Sequence, residues 1–150
     1  MSLEFSVEAY SDAIEEIRLL YPAHWAELGH DRDILPLDVN YAGYDALAAS
    51  GALLTVVARS EGLLVGYHLF ILKAPITSQE SRIAYGSLIY LKPRFRKGFN
   101  GVRFLKYAQT ACKNAGARGI YVSSTTRRPL SRLLEWLGFV EVERTFFKVL

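Results

Sequence analysis

A single cysteine, Cys112, is all the thiol chemistry this 150-residue chain carries. No disulfide can close within it, and a reducing compartment is the simplest setting. Cys112 falls at helical spacing among apolar residues and reads as a small core residue rather than a nucleophile. Histidine is nearly as scarce, with His24, His30 and His68 scattered over the first half. No metal-ligand cluster and no Ser-His-Asp pattern emerges, so a metal is not expected. No apolar run approaches the ~20 residues that span a bilayer. Met1-Ser2-Leu3-Glu4 lacks the basic and apolar stretches of a secretory signal. The expectation is a cytoplasmic protein with no membrane partner. Repeats and low-complexity tracts are also missing, and with them solenoid and linker architectures.

What is present is a core. Hydrophobic residues make up 51% of the chain and aromatics 13%, which excludes a disordered polypeptide and is enough for one domain over residues 1–150. The formal net charge of +3 is too small to demand a polyanionic partner by itself. Its distribution says more. Carboxylates concentrate in the first third, whereas Lys92-Pro93-Arg94-Phe95-Arg96-Lys97 and Arg127-Arg128 make the later part basic. Such clusters suit a phosphate-bearing cofactor or a nucleic-acid backbone, and equally a solvated loop.

Periodicity predicts a mixed order of elements. Leu3 to Val7 alternates as a strand, and Ser11 opens a helix with Ile14, Ile17 and Tyr21 on one face. Pro22 is expected to break or restart it, leaving Ala23–Leu28 as a second short helix. A polar loop covers residues 29–39, and Tyr41–Ser50 reads as helix. Strands at Ala52–Arg59 and Leu63–Leu72 flank Ser60-Glu61-Gly62, a hairpin signal. Ile83–Leu91 is a further strand, Val102–Ala115 an amphipathic helix closed by Gly116, and Ile120–Val122 a short strand. Pro129–Leu137 reads as helix, with final strands at Val140–Val142 and Thr145–Val149. Strand order is not legible.

The turn between Ile83–Leu91 and the following helix carries the most chemistry. Arg96-Lys97-Gly98-Phe99-Asn100-Gly101 leads from a strand straight into a helix N-terminus, where main-chain N–H groups lack partners and the helix dipole is positive. Two glycines clear the approach and two cations flank it, which is the pattern of a phosphate site.

From about Gly51 to Leu150 the chain resembles the GCN5-related N-acetyltransferase superfamily. The residues that carry this are Pro93-Arg94-Phe95-Arg96-Lys97-Gly98-Phe99-Asn100-Gly101 after a central strand, and Leu133-Leu134-Glu135-Trp136-Leu137-Gly138-Phe139 near the end. His24-Trp25 with Ile34-Leu35-Pro36-Leu37 is also similar to a subgroup common in bacterial viruses. The resemblance implies an α/β fold, a mixed and mostly antiparallel central sheet flanked by helices. It implies acetyl-CoA as acyl donor, held by Ile89, Tyr90 and Leu91 along the pantetheine arm and by Arg96, Lys97, Gly98, Phe99, Asn100, Gly101 and Val102 at the phosphates. Ser124 is a further candidate for the arm. An amine acceptor, small or macromolecular, would attack directly in a ternary complex.

Catalytic candidates follow from the same resemblance: His24 and Glu27, in the N-terminal helices that border the acceptor cleft, and Tyr90. Asp38 is an outside choice. His68, in an apolar strand, reads as a satisfied core histidine. The chain departs from the family at Phe99, which stands where a glycine is common, and at Leu134, where a tyrosine often protonates the leaving thiolate. It also offers only Tyr85, Ser87 or Tyr90 where the central strand often bears a carboxylate. A catalytically silent module that binds CoA or a protein therefore stays open, as does a nucleic-acid-binding protein, and exposed aromatics near Phe146-Phe147 are compatible with a homodimer.

Overall fold

A computed structural model of the chain describes residues 2–150. The elements follow as β1 (Glu4–Glu8), α1 (Tyr10–Leu28), α2 (Tyr41–Ala49), β2 (Leu53–Ser60), β3 (Leu63–Lys73), β4 (Ile83–Leu91), α3 (Asn100–Asn114), β5 (Gly119–Val122) and α4 (Ser131–Trp136). A single 3₁₀ turn, Pro93–Phe95, stands between β4 and α3. The strands form one sheet in chain order, β1-β2-β3-β4-β5. All neighbours are antiparallel except β4 and β5, which run parallel across the α3 connection. The architecture is the α/β arrangement expected.

Alternation along β2 and β3 divides the core between two faces. Val56, Ala58, Val65, Phe70 and Leu72 pack with Phe104, Ala108 and Cys112 of α3. Val57, Leu64, Tyr67 and Leu69 pack with Tyr10, Ala13, Ile17 and Tyr21 of α1. The β2–β3 hairpin closes through Glu61 at φ 51° and Gly62 at φ 80°, the left-handed pair of a type I′ turn, whose twist matches the strands it joins. Arg59 fixes β1 and α1 to this hairpin, donating to both oxygens of Glu8 at 2.8 and 2.9 Å and to Glu16 at 2.8 Å.

Two expectations fail. Pro22 does not interrupt the first helix; Tyr10–Leu28 is one continuous element. Pro22 is exposed, while Tyr21 and His24 beside it are buried, so packing outweighs the one lost hydrogen bond. The strands expected at Val140–Val142 and Thr145–Val149 do not form. Residues 139–150 are irregular, and Val140, Val142, Phe146 and Phe147 lie exposed. β5 offers only a four-residue ladder with β4, and β-propensity without a packed partner does not make a strand.

One irregularity positions everything that follows. Leu69 pairs with Leu88 but Phe70 pairs with Gly86, so Ser87 is an extra residue in β4. This β-bulge resets the alternation. Gly86 and Ile89 consequently face the α3 side, while Leu88 and Tyr90 face α1 and α2.

Candidate active site

The β4–α3 turn is built to leave amides free. Phe95 is buried against α3, and its N–H and that of Arg96 close the 3₁₀ turn on Lys92 and Pro93. Gly98 then takes φ 59°, a left-handed conformation that side chains resist, and directs the chain into α3. The Asn100 side-chain amide donates to the Phe95 carbonyl at 3.0 Å rather than capping the helix. The Phe99 side chain is not a cap either. As a result the N–H groups of Gly98, Phe99, Gly101 and Val102 donate to no acceptor among the described residues. A Cβ on Gly98 or Gly101 would meet nothing within 4 Å. The Phe99 ring is 72% exposed and points into solvent, not into the core. Lys97 is exposed beside it.

Below the turn the sheet opens. β5 pairs with β4 only from Ile83↔Gly119 to Gly86↔Val122. From Ser87 to Leu91, β4 remains bonded to β3 on one side and has no strand partner on the other. Ile89, Tyr90 and Leu91 thus present main-chain groups along a gap that leads from the bulge to the amide-rich turn. A cavity of about 280 Å³, lined by Tyr85, Gly86, Tyr121, Ser123 and Glu143, lies where the two strands part.

The end of α1 spans this gap. Glu27 accepts two hydrogen bonds from Arg96, at 2.8 and 2.7 Å, and Arg128 comes within 3.7 Å from the other side. Arg127 donates to the Gly29 carbonyl. One lip of the gap (Arg96) is therefore tied to the other (Arg127, Arg128) through α1. The hydrogen-bonded Arg96 guanidinium holds the Glu27 carboxyl below the usual carboxylate range. Arg96 also donates to the Leu91 carbonyl at 2.6 Å, and its guanidinium lies over the Tyr90 ring.

His24 is buried one turn earlier. Its Nδ1 shares a 2.6 Å hydrogen bond with the Tyr67 hydroxyl, and its ring stacks on Tyr90 at 5.1 Å. Burial lowers its pKa to about 4, so the ring is uncharged at neutral pH. Burial likewise raises the Tyr90 and Tyr67 hydroxyls above their ordinary range, and both keep their protons. His24 and Glu27 at the end of α1 thus meet Tyr90 and Arg96, more than sixty residues later in the chain, in one cluster. Tyr67 joins them without any signal in the sequence beyond an apolar strand.

Ser124 stands apart from that cluster. Its Oγ accepts from the Leu130 N–H at 2.7 Å and contacts Ser131 Oγ at 3.2 Å, bracing the entry to α4. Leu134 is buried and Asp38 is exposed in its loop. On the α2 side, the Tyr44 hydroxyl lies 3.3 Å from Ser87 Oγ at the bulge. No group of His, Cys, Asp and Glu suited to a metal occurs among the described residues. No helix among them is long and apolar enough to cross a membrane.

Solved acetyltransferases share the arrangement of this chain at the level of the whole fold. The chain has the acetyltransferase fold. A ribosomal-protein-alanine N-acetyltransferase from Brucella melitensis biovar Abortus 2308 superposes with a TM-score of 0.75 at 14% identity, covering 99% of this chain and 97% of that one. The aminoglycoside acetyltransferase AAC(6')-Iy, in complex with a CoA bisubstrate analogue, gives 0.71 at 19% identity, with 99% and 98% covered. A predicted acetyltransferase from Clostridium acetobutylicum, solved with acetyl-CoA, gives 0.71 at 12%, covering 99% and 96%. No family model matches the sequence, and no curated protein matches it.

Proposed function

We propose that the protein is an acetyl-CoA-dependent N-acetyltransferase. The observation that carries this is the conjunction of free amides at Gly98, Phe99, Gly101 and Val102 with the open edge of β4 leading to them. The amides and Lys97 hold the diphosphate, with Asn100 fixing the turn's shape, and the edge of Ile89, Tyr90 and Leu91 receives the amides of the pantetheine arm. Arg96 braces the turn against Glu27 and leaves phosphate binding mainly to the main chain.

The acceptor amine attacks the thioester carbon. A C–N bond forms, the C–S bond breaks, and the thiolate departs with its electron pair. The ammonium proton passes to solvent or to the thiolate, whose ordinary pKa near ~8.5 makes it a tolerable leaving group without the tyrosine that Leu134 replaces. His24, uncharged at neutral pH, has a lone pair to offer the amine's proton, but its lowered basicity makes it a weak acceptor. Glu27, closed on Arg96, shapes the local field more than it takes protons. Tyr90 retains its proton and serves as a donor.

A second reading, a module that binds acetyl-CoA without transferring it, is favoured by the engagement of Glu27 and the burial of Leu134. The acceptors printed for the structural neighbours, an aminoglycoside and a protein alanine, differ too much for the fold to choose between them. Thiol release from acetyl-CoA over a panel of small amines, peptides and oligonucleotide amines tests the enzyme reading. Release with at least one amine supports it. Binding of acetyl-CoA with no release for any would leave the silent module.

A further inference from the structure

An exposed carboxylate on an irregular tail is ordinarily no more than a solvated charge. Glu143 differs in where it stands. It lines the cavity of about 280 Å³ at the parting of β4 and β5, together with Tyr85, Gly86, Tyr121 and Ser123, and is the one charged residue among them. Its neighbours in the tail neutralise each other, Arg144 donating to Glu141 at 2.6 Å, whereas Glu143 forms no ion pair among the described residues. The tail is held beyond it as well: the Phe147 ring meets His30, in the loop after α1, edge-on at 4.9 Å.

The rest of the lining suits a cation. Tyr85 and Tyr121 are paired across β4 and β5, their rings stacked at 5.1 Å and 13°. Lys73 Nζ lies over the Tyr85 ring at 4.5 Å, so that ring already holds an ammonium, and Tyr121, 45% exposed, is left for a ligand. Ser123 adds a hydroxyl. His68, whose ring nitrogens have no partner, lies behind Gly86 and outside the lining. From Gly86 to Leu91 the strand runs about 17 Å at ~3.3 Å per residue. A coenzyme arm anchored at the amide-rich turn and laid along that edge has a comparable reach, so its acyl end comes to the cavity.

We propose that Glu143 is a binding residue for the acceptor, its carboxylate pairing with the ammonium of an aliphatic amine in this cavity. The proposal rests on the acetyltransferase reading and narrows it: the acceptor is a charged aliphatic amine rather than an uncharged aromatic or nucleobase amine. The carboxylate supplies a charge-assisted hydrogen bond, and the Tyr121 ring a second attraction that only a cation feels. The acceptor enters charged, since an alkylammonium has a pKa near ~10.4, and the proton it sheds before attack leaves to the solvent that reaches Glu143.

The test uses the full chain, acetyl-CoA and two kinds of amine: butylamine, 1,4-diaminobutane and a lysine peptide, charged at neutral pH, and aniline, which is not. Thiol release gives KM and kcat for each. In Glu143→Gln the KM for the charged amines rises about fivefold, while kcat and the KM values for acetyl-CoA and aniline stay within about twofold of the unaltered protein. Glu143→Lys raises the KM for the charged amines further. A second readout is independent of turnover: with ¹³C-labelled glutamate side chains, the Glu143 carboxylate resonance, assigned by its loss in Glu143→Gln, moves with 1,4-diaminobutane and stays put with aniline. If that resonance does not move, if the KM for the charged amines rises no more than that for acetyl-CoA, or if only aniline releases thiol, Glu143 is a solvated surface residue. The proposal then falls while the transferase reading stands. If no amine releases thiol, the transferase reading falls and takes the proposal with it.

Discussion

Acidifying the protein from pH 7 to pH 5 should cost its fold about 4 kcal/mol, most of it through two buried imidazoles. His24 and His68 are 5% and 1% exposed, and burial lowers their pKa values to about 4 and about 3. In the unfolded chain both titrate near ~6.5. Between pH 6.5 and 4 the unfolded state therefore binds more protons than the folded one, and stability falls as the pH falls. At pH 5 each unfolded imidazole is almost fully charged while each folded one is not, worth about 2 kcal/mol apiece relative to pH 7. Glu8 and Glu27, held below the usual carboxylate range by Arg59 and Arg96, add their losses mainly under pH 4.5, so pH 5 isolates the histidines. The assay is urea unfolding at the two pH values, with the midpoint converted through a shared slope. Thermal melts provide a second measure, an expected drop of about 8–16 °C for a chain of this size. A stability unchanged within about 1 kcal/mol would show that water or counter-charge reaches these rings, and would refute the burial argument.

Gly98→Val should lower stability by about 1–2 kcal/mol through backbone strain alone, because φ is 59° and a Cβ there meets nothing within 4 Å. Gly98→Asn should cost less, and equal thermal shifts for the two would count against the left-handed turn. Glu27→Gln should destabilise by about 1 kcal/mol through loss of the charged pair with Arg96, measured by the same urea titration. Acetyl-CoA affinity should then stay within about threefold; a tenfold gain would reveal Arg96 as a phosphate ligand that Glu27 restrains.

The limits of β4 and the existence of α3 were legible because their patterns are local. Ile83–Leu91 is a mostly apolar run followed by Lys92-Pro93, and Val102, Leu105, Ala108 and Cys112 recur on one helical face. Pro22 and residues 140–149 misled for a shared reason. Local propensity argued against helix at the one and for strand at the other, and tertiary packing decided both the other way. Nothing local reports the bulge at Ser87. Its register depends on β3, so neither the facing of Gly86 nor the orphaned state of His68 could be read from the chain. The partners of Glu27 were hidden similarly, since Arg96 is 69 residues away and the two meet only because the sheet brings the β4–α3 turn under the end of α1. The free amides of the turn, by contrast, could be anticipated, because strand, glycine and helix start are consecutive.

Isothermal titration with acetyl-CoA, run on the unaltered protein and on Gly101→Trp, measures the central claim most directly. Gly101 faces open space, so the indole can be accommodated without disturbing the core while it screens the free amides at the start of α3. The account predicts one site per chain in the unaltered protein and at least a tenfold loss in the variant, with matching melting temperatures. Equal affinities for the two, or no heat from either, would contradict it.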